Sequence, residues 1–402
     1  MKYSLYAPEQ SRTTGSLPLI YMPKINPEIQ TTARIKVIGI GGSGCNAINH
    51  MIKAKVSGVE FVAVNTDAQD LHQSLASKKI HIGRNLTRGL GSGMDPEIGR
   101  EAAEETKAEI QEILKSTDMI FIASGMGGGT GTGAAPIIAR SAKEQGILTV
   151  AVVTKPFSFE GEQRMRTAEK GIEELQKEVD ALIVIPNDQL LAITNEDTSF
   201  RDAFAMCDEI LTQAVEGISE LITTPGTINI DYADIRAIMS DAGSAFMGIG
   251  RAGGEARAKE SALAAINSPL LDMAITGAKG VLFSISGGDD LKMHEVQEAA
   301  KIITDSIDPN ARVIFGTIYD TALKKGEIKI TVIATGFNPD LIQKSKTNTV
   351  AFGSGAQNGF EDPLDIDEDQ SPSRINEPLE EIGEDTDWGG SSAIPAFLRR
   401  KK

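Results

Sequence analysis

The sequence is poor in the residues that form disulfide frameworks and metal centres. Its 402 residues include only two cysteines, Cys45 and Cys207, and four histidines. Neither set has the spacing of a zinc site, and two distant cysteines are typical of a reducing compartment. No apolar run approaches the roughly 20 residues of a membrane-spanning helix, and the N-terminal segment lacks the apolar stretch of a signal peptide. We therefore expect a cytoplasmic protein.

Positive charge is also scarce, since 40 Lys and Arg stand against 56 Asp and Glu, for a net charge of −16. This balance argues against direct nucleic-acid binding over a basic surface. Much of the negative charge lies between Glu361 and Asp387, where twelve acids accompany the single base Arg374, a net charge of −11. Such a segment buries too little apolar surface to offset its ordering entropy. We predict a disordered acidic linker there.

Short runs rich in Val and Ile alternate with helix-like stretches in the first half of the chain. The runs are 35–41, 60–67, 119–124, 148–156 and 181–186, and one helix-like stretch covers 96–117. This alternation predicts an α/β fold with a Rossmann-like, mostly parallel sheet that is buried on both faces.

A long helix-like stretch follows and ends at Pro225-Gly226. Strand-like runs at 280–288, 312–320 and 328–337 then predict a second, smaller α/β domain. The predicted segments are a flexible arm over 1–31, a nucleotide-binding domain over 32–200, a central helix over 201–224, a C-terminal domain over 225–338, the acidic linker over 339–390 and a terminal peptide over 391–402.

The stretch GMGGGTGTG, Gly125 to Gly133, has six glycines and no lysine. Glycine at this density lets successive backbone N–H groups converge on an anion. A strand leads into the loop and a helix opens after it, so the helix N-terminus would add partial positive charge. The Walker A pattern is absent, so phosphates bound here would be neutralised by backbone dipoles and Mg²⁺. The alternative is a glycine-rich connection that permits close packing.

A second loop, GIGGSG from Gly39 to Gly44, follows the first strand and matches G-x-G-x-x-G. With Asp67 at the end of the next strand, it fits an NAD(P)-dependent oxidoreductase. The denser glycine loop three strands later favours a triphosphate, bound between the two loops, over a dinucleotide. A third turn, GLGSGMDP over 89–96, is placed to close over the far end of the phosphates.

Together these segments resemble the tubulin/FtsZ superfamily, and closely its bacterial FtsZ branch. The resemblance rests on GMGGGTGTGAAP, IKVIGIGGSGCNAINHM, NTDAQDL, TKPFSFEGEQRM, IPND, PGTINIDYADI and IPAFLRR, in that family's order apart from the signature quoted first. It covers about 32–337 and the last ten residues. It implies a GTP-binding domain joined by a central helix to a GTPase-activating C-terminal domain.

By this resemblance, the nucleotide-binding residues fall on several segments. The phosphate loops are Gly41, Gly42, Ser43, Gly44, Cys45 and Asn46, and Gly127, Gly128, Gly129, Thr130 and Gly131; the ribose contacts are Glu160 and Arg164; the base contacts are Asn187, Phe204 and Asp208. Cys45 is expected to pack beside the nucleotide and to do no chemistry.

Physical arguments accompany the base and ribose assignments. An ionised Asp208 would accept two hydrogen bonds from guanine, which adenine does not offer, and Phe204 lies four residues away on the same helical face. From spacing alone, there is a simpler alternative for each pair. Phe204 would be a core residue and Asp208 a surface residue, and Glu160 and Arg164 would form a solvated ion pair.

The segment NIDYAD, Asn229 to Asp234, is the predicted catalytic element. On the sequence alone, Asp231 is predicted to be the N-cap of the next helix and Asp234 to occupy its N3 position. The resemblance implies that Asn229, Asp231 and Asp234 orient water at the nucleotide of the next subunit. The active site would then be complete only in a head-to-tail polymer that hydrolyses GTP to GDP.

The resemblance also predicts the protein's partners and location. Ile394, Pro395, Phe397, Leu398 and Arg399 would bind membrane-tethering and regulatory division proteins, so that membrane contact is indirect. The family role implies filaments in a cytokinetic ring at mid-cell. A tubulin-like scaffold without hydrolysis is the remaining alternative.

Overall fold

The structure is a computed structural model that describes residues 33–191, 198–224, 228, 230–268, 275, 277–320 and 323–337. The predicted N-terminal arm, acidic linker and terminal peptide lie outside the described residues, as does Asn229. Of the helices within the described ranges, none combines the length and the hydropathy needed to span a membrane.

Within the described residues, ten strands form one sheet in the order β3-β2-β1-β4-β5-β6-β7-β10-β8-β9. The strands are β1 Ile35–Ile40, β2 Val59–Asn65, β3 Lys78–His81, β4 Met119–Gly125, β5 Leu148–Lys155, β6 Ala181–Pro186, β7 Gly243–Gly253, β8 Gly280–Gly287, β9 Arg312–Tyr319 and β10 Glu327–Thr335. The helices are α1 Gly41–Lys53, α2 Ala68–Gln73, α3 Arg84–Thr87, α4 Pro96–Glu105, α5 Lys107–Leu114, α6 Thr130–Glu144, α7 Glu162–Gln176, α8 Asn187–Leu191, α9 Phe200–Thr223, α10 Tyr232–Met239, α11 Arg257–Ile266 and α12 Met293–Thr304, with a 3-10 turn at Ser158–Glu160.

The first six strands are parallel and covered on both faces. Along β1, Val37 packs into one hydrophobic cluster and Ile38 into another, because successive side chains point to opposite sides of the sheet. The cluster on one face takes in α9 and that on the other takes in α6. This arrangement confirms the predicted α/β fold with a Rossmann-like parallel sheet.

Chain direction brings the glycine-rich segments to one edge of this sheet. Strands β1 and β4 are parallel neighbours, with Ile40 opposite Ser124 in the register. Their carboxyl ends therefore lie side by side, and α1 and α6 begin beside each other at that edge. In open α/β sheets this edge is where ligands bind.

Strand β7 joins the two halves of the sheet. Its first residues, Gly243 to Ala245, pair in parallel with β6, and the rest pairs antiparallel with β10. This strand is not among those predicted from the sequence, although the alternation of side chains in SAFMGIG is a strand signal. The other three strands of this half lie within a residue or two of the predicted runs.

Two predicted helices have different bounds in the structure. The stretch 96–117 is not one helix, because α4 ends at Glu105 and α5 begins at Lys107. At the break, the Thr106 hydroxyl donates to Ala102 O and accepts a hydrogen bond from Gly83 N. The central helix covers Phe200–Thr223, so it starts and ends one residue before the predicted 201–224.

A buried ion network fastens α11 to α12 in the C-terminal half. The Arg257 guanidinium donates twice to Glu295, at 2.7 and 2.9 Å, and once to the Asp290 carboxylate at 2.6 Å. Arg257 is 4% exposed and Glu295 is 6% exposed. The hydrogen bonds from Arg257 lower the pKa of Glu295.

We predict that Arg257→Ala lowers the free energy of unfolding by about 3–5 kcal/mol, because two carboxylates lose their buried partner. Arg166→Ala is the matched control, since Arg166 pairs with Glu162 on the exposed face of α7 and should change stability by only about 0.5 kcal/mol. Urea unfolding measures both. Equal effects of the two substitutions would contradict the conclusion that the buried Arg257 network stabilises the fold.

Candidate functional site

The two helices that begin at the glycine loops start without side-chain caps. Ile40 and Gly129 are their N-cap residues, and neither helix has an acid in its first turn. The neighbouring α2 and α4 are capped by the carboxylates of Asp67 and Asp95. The N–H groups and partial positive charge of α1 and α6 are therefore left for an anion at the same edge.

The first turn of α1 presents one open face. Gly42, Ser43 and Asn46 are exposed, whereas Gly41, Gly44 and Cys45 are buried. Burial raises the pKa of the Cys45 thiol to about 12, and its Sγ lies 3.9 Å from Gly39 O. Cys45 thus packs against the loop as a neutral thiol; its predicted place beside the nucleotide stays a prediction.

Both glycine-rich loops need glycine because other backbone lies against them. A Cβ on Gly44 would lie 2.4 Å from Ala123 O, and one on Gly131 would lie 2.8 Å from Gly125 O. Gly127 has a φ of 97°, in the left-handed region, and its N–H donates to Thr132 Oγ1. A Cβ on Gly128 would meet nothing within 4 Å, so this side of the loop is open.

The third turn lies directly on the signature loop. A Cβ on Gly129 would come 2.2 Å from Ser92 Oγ. Ser92 Oγ is 3.0 Å from Thr130 Oγ1, which is 2.6 Å from Thr66 Oγ1. The sequence reading named the turn and Thr130 but missed Ser92 and Thr66, because only the tertiary structure brings the three hydroxyls together.

Glu160 and Arg164 are paired, but they are partly buried and do not form the solvated pair of the simpler alternative. Arg164 Nε lies 3.1 Å from Glu160 Oε2, and Glu160 Oε1 accepts a hydrogen bond from Phe157 N. They do not share one helix, because Glu160 ends the 3-10 turn and Gly161, with a φ of 103°, separates it from α7.

Phe204 belongs to a closed ring of four phenylalanines. Phe157 contacts Phe159 and Phe204, and Phe200 contacts the same two rings, with centroid distances from 4.9 to 5.9 Å. Phe157 is fully buried, whereas Phe204 is 37% exposed. The ring ties the turn that carries Glu160 to the helix that carries Asp208, and it leaves part of Phe204 open to a ligand.

Asp208 lies half-buried on α9, one turn after Phe204. Burial raises the pKa of its carboxyl group to about 6, and His50 on α1 partly offsets this effect. Thr212 donates its hydroxyl hydrogen to Asp208 O at 2.7 Å, so the His50 Nδ1 that lies 3.1 Å from Thr212 Oγ1 must be the donor in that contact.

Asn187 has an unsatisfied polar atom at the same edge of the sheet. It is the first residue of α8, directly after β6, and is 5% exposed. Its Oδ1 is buried without a hydrogen-bond partner. Buried polar atoms normally have partners, so this orphaned acceptor suits a donor on a bound ligand.

Asp67 does not have the role that the hypothesis of an NAD(P)-dependent oxidoreductase requires of it. Its carboxylate accepts hydrogen bonds from Gln69 N and Asp70 N and caps α2. A ribose-binding acid would present its oxygens to the ligand.

Among the described residues, no three His, Cys, Asp or Glu side chains are grouped to hold a metal ion.

Asp231 and Asp234 lie at the opposite edge of the sheet. Asp231 caps α10 by accepting a hydrogen bond from Asp234 N at 2.8 Å, as the plain reading of the segment predicted. Tyr232 donates to the backbone oxygen of Asp118, immediately before β4, and Arg236 donates to Gly146 O, before β5. Both aspartates are exposed.

The two edges are separated by the length of a strand. Strand β4 runs from Met119, next to α10, to Gly125 in the signature loop. At about 3.3 Å per residue, its ends are roughly 20 Å apart. The acids are therefore far from the glycine loops of their own chain.

Comparison with known proteins agrees with this geometry. Residues 34–195 match the model of the GTPase domain of the Tubulin/FtsZ family, and residues 243–338 match the C-terminal domain of the FtsZ family. A solved dimer of FtsZ from M. jannaschii is 46% identical, with a TM-score of 0.74, over 77% of this chain and 89% of that one. A W319Y mutant of that protein is 45% identical, with a TM-score of 0.74, over 77% of this chain and 92% of that one.

A more distant structure shares the fold. The GTPγS-bound protofilament of CetZ2 from Haloferax volcanii is 21% identical, with a TM-score of 0.65, over 79% of this chain and 98% of that one. These comparisons bear out the predicted superfamily and fold. The bacterial origin expected from the sequence stays a prediction.

We predict that Asp208→Asn stabilises the nucleotide-free protein at neutral pH. A carboxyl pKa of about 6 in the folded state, against about 3.9 in the unfolded state, means that ionisation opposes folding. The wild type should lose stability relative to the variant as pH rises from about 4 to 7, by roughly 3 kcal/mol, and no further above that. Urea unfolding across this range measures the difference in stability between the wild type and the variant. A difference that does not depend on pH would contradict the raised pKa of Asp208.

Proposed function

Because the chain belongs to the FtsZ family of tubulin-like GTPases, we propose that it binds GTP at the carboxyl edge of its parallel sheet. The uncapped starts of α1 and α6 would hold the phosphates through Gly41 to Asn46 and Gly127 to Gly131. Glu160 and Arg164 would contact the ribose. Phe204 would stack on the base, and Asp208 and Asn187 would hydrogen-bond to it.

Guanine fits the polar groups at the base end of the proposed site. An ionised Asp208 is an acceptor only, which matches the paired donors of guanine and not the edge of adenine. An acceptor left unpaired would cost about 1–3 kcal/mol. Asn187 Oδ1 offers a further unused acceptor.

Magnesium would be held by the phosphates. The described residues offer no cluster of three ligating side chains, and no lysine lies in the signature loop to neutralise the phosphates. Mg²⁺ is commonly bound through substrate phosphates and water. It would neutralise charge on the phosphate oxygens, and the chain would contribute oriented backbone N–H groups.

The single observation that carries the proposed mechanism is the separation of about 20 Å between the glycine loops and the exposed pair Asp231 and Asp234. Acids at that distance cannot reach a nucleotide bound by their own chain. Stacking two copies head to tail would bring the amino edge of one sheet onto the carboxyl edge of the next. We infer that Asn229, Asp231 and Asp234 orient the attacking water at the next subunit's nucleotide.

Head-to-tail contacts of this kind build filaments. Loss of the γ-phosphate at the junction would weaken the contact, so hydrolysis would drive filament turnover. We propose that these filaments form the cytokinetic ring at the division site. The terminal residues Ile394 to Arg399 would connect the filaments to membrane-tethering and regulatory proteins.

Phosphate release from GTP with Mg²⁺, measured across protein concentration, tests the shared site. Activity per subunit should be near zero in dilute solution and rise above a threshold, in parallel with sedimentable polymer. A flat activity per subunit would show that the acids act within one chain. Absence of hydrolysis despite polymer would favour the scaffold alternative.

Mixing two inactive variants gives a sharper test. Asp231→Ala should bind GTP without turnover, and Asp208→Ala should bind it poorly. If each site joins the nucleotide of one subunit to the acids of another, the mixture should recover activity at junctions where the intact halves meet. Each variant alone is the control. A mixture no more active than the sum of its components would refute the shared site.

A further inference from the structure

His50 lies on α1 at the point where this helix packs against α9. Its Nδ1 atom is 3.1 Å from Thr212 Oγ1, and its Nε2 atom is 3.7 Å from Glu209 Oε2. Asp208 is next to Glu209 on α9, and Thr212 lies one turn further along that helix. His50 also lies one turn after Asn46, the last residue of the first proposed phosphate loop. The imidazole ring therefore connects the helix that begins at the phosphate loop to the helix that carries the proposed base contact.

The two ring nitrogens of His50 both face acceptors. The Thr212 hydroxyl donates its hydrogen to Asp208 O at 2.7 Å, so Thr212 Oγ1 accepts a hydrogen from His50 Nδ1. His50 Nε2 faces a carboxylate oxygen of Glu209, which is an acceptor only. A neutral imidazole carries one N–H group and the imidazolium carries two. The imidazolium can therefore serve both contacts, whereas the neutral ring can serve one.

Among the described residues, His50 supplies the positive charge that acts on the Asp208 carboxyl group. Burial raises the pKa of Asp208, and His50 opposes this shift. The neighbouring charges are those of Glu209 on α9 and of Lys53, which is exposed one turn along α1. The segment 74–75, which hydrogen-bonds to α1 beside His50, carries no charge. An ionised Asp208 therefore depends on His50 for a compensating positive charge.

The proposed recognition of guanine requires the ionised form of Asp208. Its carboxylate would accept hydrogen bonds from the two N–H groups at the edge of the base, whereas a protonated carboxyl group would turn a hydrogen toward one of these donors. Burial of the carboxyl group opposes ionisation in the empty protein. A positive charge beside the carboxylate reduces that cost, so the charge of His50 bears directly on guanine affinity.

Resting on the proposed GTP binding, we infer that His50 is a positioning residue for guanine recognition, which holds α9 against α1 through Thr212 and, as the imidazolium, stabilises the ionised Asp208. It acts through Asp208 and not by touching the base. Histidine loses its positive charge between about pH 5 and 8. The support is therefore present in mildly acidic solution and absent in alkaline solution.

His50→Asn tests this role, because the asparagine amide can still donate to Thr212 Oγ1 but cannot take up a proton. GDP is titrated by calorimetry into wild type and variant from pH 6 to pH 9. At pH 6 the dissociation constant of the variant should be roughly fivefold above that of wild type, the effect of raising the pKa of Asp208 from about 6 by about one unit. At pH 9 the two constants should agree within about twofold. Titration of the GDP phosphates affects both proteins alike, so the ratio of the two constants is the readout.

Two further substitutions check that the effect belongs to the charge. His50→Arg carries a permanent positive charge and should restore the affinity at pH 6. His294→Asn makes the same chemical change as His50→Asn on the exposed surface of α12, and it should leave the dissociation constant unchanged at every pH. Urea unfolding at each pH checks that the variants are folded, and His50→Gln replaces His50→Asn if the latter is not.

A double-mutant cycle tests whether His50 acts through Asp208. Asp208→Asn removes the titrating carboxylate, so His50→Asn should have no pH-dependent effect on GDP binding in that background. A loss of affinity at pH 6 that persists without the carboxylate would show that His50 acts elsewhere, and it would overturn the inference.

The outcomes separate this inference from the proposed function. If wild type binds GDP at no pH, guanine-nucleotide binding is refuted and the role of His50 with it. If wild type binds GDP and His50→Asn weakens binding equally at pH 6 and pH 9, or changes neither, the inference alone is overturned. A loss that is confined to acidic pH and disappears in the Asp208→Asn background supports it.

Discussion

The direction of the parallel strands is the constraint on which the rest of the site depends. Because the central strands all point the same way, their carboxyl ends form one edge, and the helices that follow aim their N-termini there. The same polarity puts the segments that precede the strands, and the helix α10 packed beside them, at the other edge. A chain built in this way has two chemically different ends, so end-to-end stacking of two copies would join unlike surfaces.

Close backbone approach explains how a candidate anion site is built without a lysine. In the signature loop, neighbouring main-chain atoms occupy the space that side chains would need at Gly129 and Gly131. What the loop presents to a ligand is therefore N–H groups and the hydroxyl of Thr130.

Asp208 would place folding and binding in conflict under the proposed function. Burial raises the pKa of its carboxyl group and opposes its ionisation. Under the proposed function, the same carboxylate would match the donors of guanine, which is the pattern in which binding sites reduce stability. The Arg257 network in the C-terminal half is the opposite case, because every charge there has a buried or half-buried partner.

The sequence by itself determined the alternation of strands and helices, the two glycine loops and the capping role of Asp231, since these depend on local periodicity and on spacings of a few residues. Tertiary structure decided the rest. The contact between Thr66 and Thr130 joins residues 64 positions apart, and that between Ser92 and Thr130 joins residues 38 apart. The break at Thr106, the orphaned oxygen of Asn187 and the distance between the acids and the loops likewise arise from packing between distant segments. Local patterns carry no information about which distant groups meet, so only the folded chain shows that Asp231 and Asp234 lie at the edge opposite the glycine loops.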